Sequence, residues 1–140
     1  MDATTTKPDQ KTLIFAWLDA LRSGEFKQTT ECLADSDGGH CCLGVACRVA
    51  VAAGVPLEVE ENDDGDICFD QCGTYLPPTA SQMLGLRNRS GSFEEGALWQ
   101  LNDGGATFPE IADIIEANAL TLFKNGEEVA GWLAERRAAK

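Results

Sequence analysis

The sequence predicts a single α+β domain of about five helices with one or two small β-hairpins, because its helical and strand signals are present but do not alternate. Three observations carry this. A length of 140 residues suits one folded unit and is short for two. Apolar residues recur at helical spacing in several segments, with cap residues at their ends. Short segments containing β-branched residues lie between them, broken by Asp- and Gly-rich turns.

Residues 1–9 are polar and read as a tail ahead of a globular domain spanning 10–140. Leu13, Ile14, Trp17, Leu18 and Leu21 form one stripe of a helix over 10–23, and Gly24 stands where a C-cap glycine would. Phe26 to Ala34 reads as a strand, 35–39 as a turn, and His40-Cys41-Cys42 as the returning strand. Leu43 to Ala53 is apolar nearly all round apart from Arg48, the pattern of a buried helix, and Gly54 and Pro56 end it. Val59 and Ile67-Cys68-Phe69 flank Asn62-Asp63-Asp64-Gly65, which predicts a second hairpin with an acidic tip. A short helix starts at Pro77-Pro78-Thr79 and stops at Gly85, with Leu86 placed for a Schellman contact. Phe93 to Leu101 reads as another helix. Thr107-Phe108-Pro109-Glu110 is a capping box ahead of a helix with Ile111, Ile114 and Ile115 on its inner stripe and Asn118 at its end. Leu120, Leu122 and Phe123 are assigned to the core, and Val129, Trp132 and Leu133 mark a last helix after Asn125-Gly126.

Composition narrows the function classes. Hydrophobic residues at 44% and charged residues at 24% are globular values. The net charge of -12 argues against direct nucleic-acid binding, which needs a basic footprint, and against an anionic membrane surface. The polar start lacks a signal-peptide core and the longest apolar run is Val49 to Ala53, so a cytoplasmic chain is expected, with its six cysteines reduced.

No complete catalytic constellation is visible, and the expectation leans away from an enzyme. The weakest of three functional readings is a small-substrate enzyme using Cys41 or Cys42, with His40 as the one histidine available as a base. A zinc site would have to draw on Cys32, His40, Cys41 and Cys42, whose spacing fits none of the usual knuckles, so no metal is expected. Buried cysteines packing as small hydrophobes account for them better. No dinucleotide fingerprint or Walker loop is present, and no cofactor is expected.

Two polar segments suit a flat, anionic ligand. Arg22, Lys27 and Gln28 offer charge-assisted and amide hydrogen bonds, and Phe26 a stacking face. Asn102 and Asp103 precede glycines at the start of the capped helix, near Phe108. The same cations could simply complement a helix C-terminus. The acidic hairpin, with Glu58, Glu60, Glu61, Asp63, Asp64 and Asp66, fails the calcium-loop register because Gly65 falls before Asp66. It reads as a solvated tip or as a surface for a basic protein.

Three segments together carry a resemblance: 17–28 (WLDALRSGEFKQ), 41–47 (CCLGVAC), and 101–105 (LNDGG) leading to Phe108 and Glu110-Ile111-Ala112-Asp113. The combination resembles a widespread family of small uncharacterised accessory proteins of tailed phages and prophages, over roughly residues 13–123. The resemblance implies a bacterial host cell as setting, with host or defence machinery as target, and implies no catalytic residue. On this basis the leading expectation is a non-enzymatic binder that sequesters a small anionic, nucleotide-like ligand, with counter-defence as an expected role. The alternative is an acidic inhibitor that binds a host protein through the hairpin. Association into a homo-oligomer stays open.

Overall fold

A computed structural model describes residues 9–139. The predicted tail, 1–9, lies outside the described residues except Asp9, whose carboxylate accepts the Thr12 N–H at 2.7 Å and so caps α1 (Gln10–Ser23). The predicted stripe of α1 is fully inside, and Gly24 closes the helix at φ 78°.

The first hairpin is shorter and differently wired than the sequence suggests. Phe26 to Ala34 is not one strand. β1 (Lys27–Gln28) and β2 (Ala34–Asp35) are separate, and Glu31 between them turns the chain at φ 70°. β2 pairs antiparallel with β3 (Gly39–His40), while β1 pairs parallel with β3. The Asp35 carboxylate shapes the intervening turn by accepting the N–H groups of Asp37 and Gly39.

Cys41 and Cys42 are not strand residues. Cys41 is the N-cap of α2 (Cys42–Ala52), its sulfur accepting the Gly44 N–H at 3.4 Å. A thiol is a weak acceptor, and cysteine is not among the usual caps, which is why sequence placed the boundary late. Gly44 then meets the backbone of Leu33 so closely that an added Cβ would lie 1.7 Å from the Leu33 carbonyl oxygen. The N-terminal half of α2 is buried as expected, and its last turn reaches solvent.

The second hairpin forms as expected. β4 (Val59–Glu61) pairs antiparallel with β5 (Asp66–Phe69), giving a five-stranded mixed sheet of order β1-β3-β2-β5-β4 with β4 at one edge. Beyond β5, Asp70 and Gln71 both have positive φ, 52° and 69°, and Phe69 and Cys72 bridge across them. This is the geometry of a two-residue hairpin turn built without glycine.

α3 (Pro78–Leu84) ends in the predicted Schellman pattern, with the Leu86 N–H donating to the Ser81 carbonyl at 3.0 Å. The predicted helix from Phe93 is instead a two-stranded hairpin, β6 (Ser92–Phe93) with β7 (Gly96–Ala97), followed by the short α4 (Leu98–Asp103). Glu94-Glu95, just before Gly96, form a turn that the apolar spacing concealed. α5 (Phe108–Ala117) has both arms of its capping box, Thr107 accepting the Glu110 N–H and Glu110 accepting the Thr107 N–H. Asn118 ends α5, and α6 (Ala119–Leu122) and α7 (Gly126–Ala138) complete the described chain. Leu122 and Phe123 are buried as expected, whereas Leu120 is 58% exposed.

One hydrophobic cluster joins α1, α2, α3, α5 and α7 with the inner face of the sheet, so the chain is a single α+β domain. Among the described residues no helix is long and apolar enough to cross a membrane.

Gly44→Ala should destabilise the fold although it raises helix propensity. The propensity gain is about 1 kcal/mol. The clash with a backbone oxygen that cannot swing aside costs at least ~3 kcal/mol, the upper range for an overpacked core. A urea unfolding midpoint equal to or above wild type would show that α2 does not pack on Leu33 in this way.

Candidate functional site

The three distinctive segments do meet, and Asn102 is where they meet. This side chain on α4 is 1% exposed. Its Oδ1 accepts the Gln28 side-chain N–H at 2.9 Å and the Cys42 backbone N–H at 3.2 Å. Its Nδ2 donates to the Thr29 carbonyl at 2.8 Å and to Asp103 Oδ1 at 3.4 Å. Two acceptor and two donor positions are the full capacity of an amide, so none is left for a ligand. Gln28 also donates to the Ala106 carbonyl, Asp103 accepts the Glu31 N–H, and the Trp17 indole donates to the Cys42 carbonyl. The network ties α1, β1, the start of α2 and the α4–α5 turn into one piece.

The other residues expected at a ligand site are also engaged or dispersed. Arg22 bonds Asp113 and Glu116 of α5 at 2.8 and 2.6 Å, and Arg137 of α7 holds the other Glu116 oxygen at 2.6 Å. Partial burial pushes the Glu116 carboxyl up, but the two guanidiniums outweigh it and hold it below the ordinary carboxylate value. Phe26 packs edge-on against His40, with centroids 5.2 Å apart, and Phe108 is in the core. Lys27 is exposed on the outer edge of the sheet.

The thiols sit in apolar or internally bonded surroundings. Among the described residues no three His, Cys, Asp or Glu side chains are grouped as a metal ion would require. Burial lifts the Cys32 and Cys41 thiols to about 11, and raises Cys42 and Cys47 as well. The Cys42 thiol approaches the Leu98 carbonyl at 3.6 Å, not His40. His40 is 8% exposed, and its Nε2 accepts from Arg48 Nε at 3.2 Å. Burial and the Arg48 charge lower its pKa, favouring the neutral imidazole. Cys68 and Cys72 are half-buried, and because Cys72 is the cross-strand partner of Phe69, it shares that residue's face while Cys68 takes the other.

Two surface features remain. The first is the hairpin, where Glu58, Glu60, Glu61, Asp63 and Asp64 are exposed and Asp66 is half-buried. No salt bridge among the described residues reaches any of them. A cleft of about 240 Å³ lined by Glu60, Glu61, Asn62, Cys68 and Gln71 runs beside β4. The second is a cleft of about 600 Å³ at the start of α7, lined by Arg87, Leu120, Lys124, Asn125, Gly126, Glu127 and Glu128. Sequence reading missed it because Arg87 and Lys124 are brought together only by the bridge between Leu86 and Phe123. The exposed Leu120 was the one local sign, and its spacing assigned it to the core.

Residues 10–119 match the family described as a domain of unknown function (DUF8296), and the chain belongs to that family. No curated protein and no solved structure matches the chain.

Asn102→Ala should lower stability by ~2–4 kcal/mol, since it strands the Cys42 N–H, the Thr29 carbonyl and the Gln28 amide, each costing about 1–3 kcal/mol if left unpaired and some recovering water. Denaturant unfolding measures it, and a loss below about 0.5 kcal/mol, the level of an ordinary surface change, would refute the network. Iodoacetamide at neutral pH should modify Cys68 and Cys72 well before Cys32, Cys41, Cys42 and Cys47, because attack needs an accessible thiolate. Peptide mapping of a time course reads the order, and early labelling of Cys41 or Cys42 would restore a cysteine nucleophile to consideration.

Proposed function

We propose that this chain is a non-enzymatic binding protein that engages a basic partner protein through its acidic hairpin. The observation that carries the reading is the exposed row Glu58, Glu60, Glu61, Asp63 and Asp64, free of salt bridges from described cations. Arg22, Arg136 and Arg137 are occupied elsewhere, paired with Asp113, Glu116 and Asp19. The chain carries a net charge of -12, and these five exposed carboxylates are an unneutralised part of it. Such a surface steers a cationic partner into contact and repels acidic ones. On the resemblance to tailed-phage accessory proteins, the partner would be a bacterial host or defence protein met in the cytoplasm.

A small anionic ligand is the second reading, and it moves to a different place. Its support is the cleft with Arg87 and Lys124, not the residues of the internal network. Glu127 and Glu128 line the same cleft and offset the two cations. That balance puts the reading second.

The partner reading predicts a salt-sensitive complex. Bait capture from bacterial lysate should retain a basic protein at about 0.15 M ionic strength and lose it toward about 1 M, where the screening length falls to about 3 Å from about 8 Å. Replacing Glu60, Glu61, Asp63 and Asp64 together by lysine should abolish capture without changing the thermal unfolding curve appreciably, as all four side chains are exposed. Capture that survives the reversal would sink the reading. Native mass spectrometry of gently purified protein separates the second reading, which expects a retained mass of a few hundred daltons, on the order of one nucleotide-sized ligand.

A further inference from the structure

We infer that β4 is an open docking edge that accepts an extended basic segment of the partner as an additional, sixth strand of the main sheet. This rests on the acidic-surface reading and adds the mode of recognition: main-chain pairing, with lysine or arginine side chains on the acidic face.

The backbone register carries the inference. Val59, Glu60 and Glu61 stand opposite Phe69, Cys68 and Ile67. The Asn62 N–H donates to the Asp66 carbonyl at 2.8 Å, and the Asp70 N–H donates to the Glu58 carbonyl at 2.7 Å. In an antiparallel ladder, hydrogen-bonded pairs alternate with non-bonded ones. Residues 58, 60 and 62 therefore direct their backbone groups inward to β5. Val59 and Glu61 direct their N–H and C=O outward, past the last strand of the sheet. Unpaired groups of this kind are a template for another strand.

The side chains select what can pair there. Glu58 and Glu60 alternate on one face, with Val59 and Glu61 on the other. Val59 is 40% exposed and gives an apolar contact on its face. The cleft of about 240 Å³ lined by Glu60, Glu61, Asn62, Cys68 and Gln71 opens beside the same strand, with carboxylates in its lining. Edges are commonly protected by charged side chains, proline or a bulge. On this one the charges are carboxylates, so a second copy would set carboxylates against carboxylates. What excludes a like strand attracts one of opposite charge, so the fitting occupant is an extended segment alternating cationic and small apolar residues.

The test uses the full chain and two capped octapeptides of equal charge, one alternating lysine with valine and one alternating lysine with proline. Proline cannot donate to a ladder, so the second peptide offers the same charge without strand pairing. The expected result is roughly tenfold tighter binding of the lysine–valine peptide, about what one or two net main-chain hydrogen bonds supply. Its binding should slow hydrogen exchange at the Val59 and Glu61 amides. Val59→Pro, which keeps every carboxylate, should remove the tenfold preference while leaving the lysine–proline affinity unchanged. If that variant does not fold, the exchange measurement on the wild type decides alone. Equal binding of the two peptides with no slowing at Val59 and Glu61 overturns strand addition and leaves the acidic-surface reading standing. Failure of both peptides to bind at low salt overturns both. Protection of these two amides in the free protein together with a dimer mass would assign the edge to a second copy and overturn the basic-partner inference.

Discussion

The buried amide of Asn102 is the contact on which the rest of the arrangement depends. A side-chain amide taken out of water without partners is costly, and one with every position filled can rigidify its surroundings. Here the filled positions lead to Gln28 and Thr29 near one sheet edge, to the first N–H of α2, and to the adjacent Asp103. The Cys42 carbonyl is in turn held by Trp17 of α1. Fixing Cys42 from both sides sets the start of α2, and that start must be accurate because Gly44 packs onto the Leu33 backbone with no room for a side chain. The sheet, the central helix and the α4–α5 turn are thus referenced to a single polar point inside an apolar core.

That point gives the polar residues of the distinctive segments an internal role that the sequence does not display. Polar residues beside glycines and aromatics have the composition of a ligand site, but the same chemistry satisfies main-chain groups where irregular chain is buried. Gln28, Asn102 and Asp103 reach Ala106, Thr29 and Glu31 across more than seventy residues in each case, and no local pattern encodes those pairings. Elements with local determinants were legible. α1 follows from its stripe and Gly24, α3 from Leu86 beyond Gly85, and α5 from its capping box. Elements whose boundaries depend on distant contacts were not. The thiol cap of α2, the turn at Glu31 and the β6–β7 hairpin all replace a longer element that the apolar spacing alone would favour. Leu120 shows the same limit from the other side, since its spacing suits a core while α6 stops too soon to bury it.

The charges divide by a similar logic. Several cations are consumed in holding elements together. Arg22 and Arg137 clamp Glu116, Arg136 bonds Asp19 and lies over the Phe15 ring, and Arg48 sits between His40 and the Phe69 ring. Arg89 bonds the Leu76 carbonyl and approaches the Cys72 sulfur. Each is useful through planar geometry as much as charge, as expected of arginine. Within the hairpin Asp70 accepts the Glu58 N–H at 2.7 Å, while the exposed carboxylates of Glu58, Glu60, Glu61, Asp63 and Asp64 make no salt bridge among the described residues. Their cost is mutual repulsion, moderated by solvent and salt because they are exposed.

The two surface features differ in where they lie relative to the family-matched range. Glu58 to Asp70 lies wholly inside the family-matched range, as do Gln28, Cys42 and Asn102. The cleft at α7 is different, because Lys124, Asn125, Gly126, Glu127 and Glu128 all fall beyond residue 119. The matched range therefore contains everything needed to build the sheet and leave β4 at its edge, while the cleft needs α7 to exist. Charged side chains are among the usual protections of an edge strand, and the carboxylates of β4 set it against pairing with a like strand. On the proposed reading, the carboxylates that refuse a second copy leave the edge available to a cation-bearing chain, and the discrimination is the difference in affinity between the two.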